Sequence, residues 1–374
     1  MKKPDIRNIL VPVDFSGMSA PTIETARRLA NRFGATIHLV HIHEYYYPVG
    51  FMAPGAFIPV SVPTFSEEAA QRVAGQLRAL ARKYGISAVN CYVQNETPVF
   101  NEICKVARQV DADLIVTPTH GYTGVAHFFE GSTAERLVQH SPCPVLVARE
   151  RGKKSSRSAL NGKTSGNINS ILVPVDFSQC SFQALEYAIK FAEQVAASLI
   201  VFHAVHIGYA FTADGYAMYD LSTLTKAARK DAERQMETFV RLAKFRGVKF
   251  ETVVQVGPPV DEICAFAENR NVDLIITSTH GYTGLKHVLI GSTAEQVVRR
   301  AKRPVLVVPS HPEVRTAHII RQTQRTRKPA TRAAKSKALS VPTKRLTKIN
   351  RKLVAHPFPE RRKTNKFRES HSFR

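Results

Sequence analysis

Thr119-His120-Gly121-Tyr122-Thr123-Gly124 occurs twice: Thr279-His280-Gly281-Tyr282-Thr283-Gly284 repeats it residue for residue, 160 positions on. In each copy nine residues separate the first glycine from a Gly-Ser-Thr triplet, Gly131-Ser132-Thr133 and Gly291-Ser292-Thr293. A short β-branched run stands just upstream, Leu114-Ile115-Val116 or Leu274-Ile275-Ile276, and a segment of helical period follows. A strand, a glycine loop and a helix start in that order turn backbone N–H groups toward one point, where an anion can sit.

Working outward, Ile9 to Ser16 is an apolar run ending in an acid and a hydroxyl, as a buried parallel strand feeding a loop would. Ala20 to Phe33 carries Ile23, Ala26, Leu29, Ala30 and Phe33 at helical spacing, and Gly34 stops it. Thr36 to Ile42 is a second strand. Ser66-Glu67-Glu68 opens a helix that runs to about Tyr84 before Gly85. Val89 to Val93, Leu114 to Val116 and Pro144 to Ala148 read as further strands, with helices from Val99 to Gln109 and from Thr133 to His140. Strict alternation with short connections predicts an α/β fold, a parallel sheet with helices on both faces. The exceptions are two long aromatic stretches, Tyr45 to Pro63 and Gly208 to Ser222, whose length suggests functional or oligomer-facing loops.

The second unit replays the first, so 374 residues divide into two domains. The expected limits are 1–149 and 169–310, joined by a basic, glycine-containing flexible linker at 150–168 and followed by a tail at 311–374. The formal net charge is +23, and most of it lies in the tail, where Glu313 to Arg374 holds 19 Lys and Arg against three acids. With few large apolar residues, that tail is expected to be disordered when free and to suit non-specific contact with nucleic acid through residues 313–374. Its three aromatics, Phe358, Phe367 and Phe373, have no stacking-platform spacing. Five scattered cysteines without paired spacing point to a reducing cytoplasm rather than a disulfide framework. Cys104 and Cys264, at equivalent positions, read as buried helix residues. No run approaches a membrane span or a signal segment, so no membrane partner is expected.

In a parallel sheet, ligands bind beyond the carboxyl ends of the strands where strand order reverses. Asp14 and the Gly121 loop both follow strands and should meet there, as should Asp176 and the Gly281 loop. The acid suits ribose hydroxyls or the surroundings of adenine, the glycines a close backbone approach, and Gly131-Ser132-Thr133 or Gly291-Ser292-Thr293 phosphate oxygens. A plain turn with a helix cap explains any one of these glycines as well. Their doubling, together with Pro-Val-Asp-Phe-Ser far upstream, favours a site.

With these residues in place, the chain resembles the universal stress protein family in its tandem two-domain form, over roughly Ile6 to Ala148 and Asn169 to Val308. The resemblance implies two Rossmann-like domains, each a five-stranded parallel sheet of order 3-2-1-4-5, that pair through their last strands within the chain and leave room for a homodimer. It implies binding of ATP or a related adenine nucleotide, with or without Mg, by the pattern G-2x-G-9x-G-[ST]. The second and third glycines and the hydroxyl fall on Gly121, Gly131 and Ser132, and on Gly281, Gly291 and Ser292. The first glycine is replaced by Pro118 and by Ser278. Pro118 has no N–H and adds bulk, whereas Ser278 keeps the donor, so the second site ranks above the first. The family pattern further assigns Pro12, Asp14 and Ile42, and Pro174, Asp176 and Ala204, to the adenosine side.

No Walker lysine follows the glycines and no catalytic set recurs in both copies, so no enzyme is expected, with any ATP hydrolysis slow and incidental. His120 and His280 fit loop orientation better than acid–base work. His38, His41 and His43 have no equivalent triplet in the second copy and do not read as a metal site. The expected role is a cytoplasmic stress-linked sensor. The rivals are a nucleotide-free interaction module and a nucleic-acid carrier working through the tail.

Overall fold

The structure is a computed structural model and describes residues 6–43, 66–86, 89–94, 98–118, 133–149, 167–207, 221–279 and 291–310. All of them fall in one compact unit, Met1–Gln324. The stretch from Tyr45 to Pro63, most of Gly208 to Ser222, His120, His280, residues 150–166 and the basic tail lie outside the described residues.

The first domain runs β1 (Asn8–Pro12), α1 (Ser19–Phe33), β2 (Thr36–Ile42), α2 (Glu67–Lys83), β3 (Val89–Gln94), α3 (Val99–Gln109), β4 (Leu114–Pro118), α4 (Thr133–His140) and β5 (Val145–Ala148). The second runs β6 (Ser170–Pro174), α5 (Gln179–Val195), β7 (Ser198–Val205), α6 (Leu221–Leu242), β8 (Phe250–Val256), α7 (Pro259–Asn269), β9 (Leu274–Ser278), α8 (Ser292–Arg300) and β10 (Val305–Val308). The helix ends follow local chemistry. Gly34 caps α1 in the left-handed region at φ 68°, and the Ser66 hydroxyl accepts from Ala69 N to start α2.

The strands form one ten-stranded sheet in the order β3-β2-β1-β4-β5-β10-β9-β6-β7-β8. Each half is parallel and has the expected order, and the halves join antiparallel through β5 and β10. In that pair Leu146 stands opposite Leu306, residues at equivalent positions in the two copies, so a pseudo-two-fold axis passes between them. The expected intramolecular pairing through the last strands is therefore present.

Two apolar layers cover the sheet, and both cross the junction. Leu146 and Leu306 face the layer of α1, α2, α5 and α6, while Val145, Val147, Val305 and Val307 face that of α3, α4, α7 and α8. Phe33 of α1 meets Phe191 of α5 edge-on at 5.5 Å, and Arg32 Nε donates to Gln194 O at 3.0 Å. Fully buried side chains such as Ile9, Leu39, Phe191 and Phe202 each contribute about 1.5–3 kcal/mol relative to exposure. At the amino end of each half of the sheet a carboxylate ties down the entering chain. Asp113 Oδ2 accepts from Arg7 N and Asn8 N, and Asp273 Oδ2 accepts from Asn169 N and Ser170 N.

Two readings of the sequence need correction. The first strand of each domain ends at its proline, Pro12 or Pro174, and does not reach Ser16 or Ser178. Ser222 belongs to α6, because that helix starts at Leu221.

Candidate functional site

The site begins as a split in the sheet. β1 stays paired with β2 through Pro12↔Val40, but its register with β4 covers only Ile9↔Leu114 and Leu10↔Ile115. β6 leaves β9 at the same point, after Leu172↔Ile275, while it stays with β7 through Pro174↔Phe202. The prolines explain the split. Val13 N donates to Val40 O and Val175 N to Phe202 O, so by strand alternation the preceding residue faces the other neighbour, β4 or β9. A proline there removes the donor that would continue the ladder. Each split opens at the carboxyl end between the two strands from which the chain winds to opposite faces.

Past the proline the chain turns sharply in both domains. Asp14 Oδ1 accepts from Ser16 N at 3.0 Å, and Asp176 Oδ1 from Ser178 N at 3.1 Å, an Asx turn spanning the intervening phenylalanine. Phe15 and Phe177 sit at φ 59° and 61°, a left-handed conformation that costs a bulky residue about 1–2 kcal/mol. A histidine from the next strand compensates for it. His41 Nδ1 lies 2.8 Å from Val13 O and His203 Nδ1 2.7 Å from Val175 O. A carbonyl only accepts, so Nδ1 is the donor in both rings. Phe15 lies over His41 at 5.0 Å and Phe177 over His203 at 4.3 Å.

The exits differ in detail. In the first domain Asp14 Oδ1 also accepts the Ser16 and Ser19 hydroxyls at 2.7 and 2.9 Å, and α1 begins at Ser19 with Met18 at its cap position and no side-chain cap. In the second, the Ser178 hydroxyl accepts from Ser181 N at 3.1 Å and caps α5.

The other wall of the second crevice comes from the end of β9. Thr279 O accepts from Gly291 N at 2.7 Å, which sets Ser278 near the start of α8. Thr279 N donates to Val308 O, and Ser310 N donates to Thr279 Oγ1 at 3.1 Å, so the chain leaving β10 is pinned to the same point. The Gly291 amide is thus engaged within the protein, and Ser292 and Thr293 are the first residues of α8. That helix has no side-chain cap.

The described residues therefore bring Pro174, Asp176, Ser278, Gly291, Ser292 and Thr293 to the carboxyl end of the second sheet. Ala204 and Ile42 lie on the face of α7 and α8 and of α3 and α4, respectively. In the first domain Pro12 and Asp14 take the same places, Pro118 ends β4 opposite Ala148, and Thr133 opens α4. Gly121, Gly131, Ser132 and Gly281 lie outside the described residues.

Other titratable groups are structural. Cys104 donates toward His140 O at 3.7 Å, and burial pushes its thiol up to about 11. Burial likewise pushes Cys143 up to about 12. His38 Nε2 lies 3.2 Å from Asn8 Oδ1, and burial lowers its pKa. Among the described residues no cluster of His, Cys, Asp and Glu has metal-holding geometry, and no helix is long and apolar enough to cross a membrane.

Sequence reading missed Arg149, placed at the end of the first domain with no role beyond preceding the basic linker. Its guanidinium reaches across the junction and donates to Val298 O and, at 3.3 Å, to Arg299 O at the carboxyl end of α8. It also missed the role of His41 and His203; the signal available was their common place one residue before the adenosine-side position of each second strand.

Two antiparallel-joined halves, each doubly wound with a split at its strand-order reversal, define a tandem Rossmann-like α/β protein. The model of the Universal stress protein family matches residues 5–149 and 167–309, and the chain belongs to that family. A universal stress protein of Methanocaldococcus jannaschii, MJ0531, is 32% identical over 138 residues, which is 37% of this chain and 80% of the relative. The crystal structure of a universal stress protein from Archaeoglobus fulgidus DSM 4304 aligns over 83% of this chain and 99% of its own with a TM-score of 0.54, at 20% identity, a likeness of fold. A universal stress protein solved in complex with cAMP is 23% identical over 38% of this chain and 97% of its own, with a TM-score of 0.26.

Proposed function

We propose that this chain is a cytoplasmic stress-linked regulator that binds ATP or a related adenine nucleotide, in the second domain ahead of the first, without acting as an enzyme. The domain limits are 1–149 and 169–310, joined by 150–168, with 311–374 as a tail. The observation that carries the reading is the proline-made split between β6 and β9, with Asp176 on one wall and Ser278 and the uncapped start of α8 on the other. A carboxylate accepts ribose hydroxyls, and amides at a helix start favour phosphate oxygens. Pro174, Asp176, Ala204, Ser278, Gly281, Gly291, Ser292 and Thr293 form this site. Pro12, Asp14, Ile42, Gly121, Gly131, Ser132 and Thr133 form its weaker counterpart, where Pro118 offers no N–H.

Isothermal titration of ATP into the full chain, beside Ser278→Pro and Pro118→Ser, tests the reading. Pro118 already sits in the equivalent strand register of the first domain, so a proline at 278 is compatible with the sheet. Ser278→Pro is expected to weaken the tighter site about 10-fold, roughly 1.4 kcal/mol, through loss of one donor and added bulk. No heat from the wild-type chain sinks the reading.

A further inference from the structure

The Asp-Phe-Ser turn raises a question that nucleotide binding leaves open: why each domain holds a phenylalanine in a conformation suited to glycine, beside its own crevice. Phe177 is at φ 61° and Phe15 at φ 59°, so the strain is kept in both copies. A histidine goes with it in both. His203 Nδ1 meets Val175 O at 2.7 Å and His41 Nδ1 meets Val13 O at 2.8 Å, each bonding the carbonyl directly before the aspartate. The same valine gives its N–H to the neighbouring strand, at Phe202 O or Val40 O. Both backbone groups of that residue are therefore held by one neighbouring strand, and the chain is free to turn only beyond it. The phenylalanine ring packs against the imidazole in a tilted contact, with centroids 4.3 Å apart at 31° in the second domain and 5.0 Å at 47° in the first.

We propose that His203, and His41 in the first domain, are positioning residues that hold the left-handed turn and so fix the aspartate carboxylate at the crevice wall. The ring sits on the α5 and α6 face, with Val201 and Val175, while the adenosine-side position Ala204 lies on the other face. His203 therefore acts through Val175 and Phe177 and not by touching a ligand. In the second domain Phe239 of α6 packs edge-on against Phe177 at 5.6 Å and against Phe182 at 5.4 Å, which fixes the lever from above.

What the carboxylate meets rests on the nucleotide reading above, and the experiment separates the two. Full chains carrying His203→Asn and His203→Leu are compared with wild type by amide hydrogen exchange and by ATP titration. An asparagine amide places a donor near the Nδ1 position, whereas leucine keeps bulk and donates nothing. His203→Leu is expected to speed exchange of the Ser178 amide, which donates to Asp176 Oδ1, by about 5-fold or more, and to weaken ATP by a similar factor. His203→Asn should stay within about 2-fold of wild type in both. The proposal is overturned by an unchanged Ser178 rate in the leucine variant, by equal damage in the asparagine variant, or by equal acceleration of the α7 amides, which signals general unfolding. If wild type takes up no ATP, the nucleotide reading falls, and the Ser178 rate still decides the role of His203.

Discussion

In the first domain Phe15 leaves 38% of its surface in water and meets only His41 among the described aromatic rings. In the second, Phe177 meets His203 and Phe239, and Phe239 in turn meets Phe182. The backbone path is the same in both, and so are the proline, aspartate, phenylalanine and histidine that produce it. The supporting layer is what differs: α6 spans 22 residues against 17 in α2. Duplication has kept the residues that dictate dihedral angles and let the packing around them diverge. A turn packed from above loses less ordering entropy than an exposed one when a neighbour is added.

Five substitutions can break or sharpen that comparison. The largest effect is expected for Phe191→Ala, a fully buried ring on α5, at about 3–5 kcal/mol. Its counterpart Leu29→Ala on α1 should lose about 2–4 kcal/mol. Urea denaturation measures both, and equal losses would argue that the two helix layers are packed alike. Next comes Arg149→Met, which strips two carbonyls at the end of α8 of their donor and should destabilise by about 1.5–3 kcal/mol. Burial already pulls this guanidinium below its ordinary pKa. At the matching place the second domain has Pro309, which has no side-chain donor, and Pro309→Ala should stay within about 0.5 kcal/mol. A null result for Arg149→Met would make the junction symmetric after all.

The smallest effect concerns Glu24 on α1, which bonds Arg27 and Arg28 at 2.7–2.8 Å. Its helical counterpart Glu186 is followed by Ile189 and Lys190. The Arg27 hydrogen bond chiefly holds the Glu24 carboxyl down, to about 2. A depressed carboxyl stabilises fully above its ordinary value of 4.5, and the contribution disappears as pH falls from there through about 2. Glu24→Gln should lose only a few tenths of a kcal/mol at pH 7, because solvent screens the pair, and should match wild type near pH 2. Thermal melts across that range test it, and a loss that persists in acid removes the ion pair as the cause.

The architecture was legible because its signals are periodic and doubled. β2, α3 and α4 lie where the residue pattern places them, at Thr36–Ile42, Val99–Gln109 and Thr133–His140. The strand ends before Asp14 and Asp176 were misplaced because Val13 and Val175 continue the apolar run after the chain has left the ladder on one side. Nothing in Asp-Phe-Ser announces a positive φ, since sequence rules look for glycine or asparagine there. The use of the Gly291 amide by Thr279 O was hidden too, because helix-start glycines look alike whether their N–H is free or engaged. Arg149 resembled the basic stretch after it, and only the antiparallel join brings α8 within its reach.

That join also decides where the two mouths point. With β5 and β10 antiparallel, the carboxyl ends of the first four strands and those of β6 to β9 lie on opposite rims of one slab. The chain leaving β5 is consequently already on the rim where β6 begins, three strand spacings or about 14 Å away. The two crevices open at opposite rims with the length of the strands between them, so a single small ligand could not span both, and a macromolecule engaging both would have to reach around the slab.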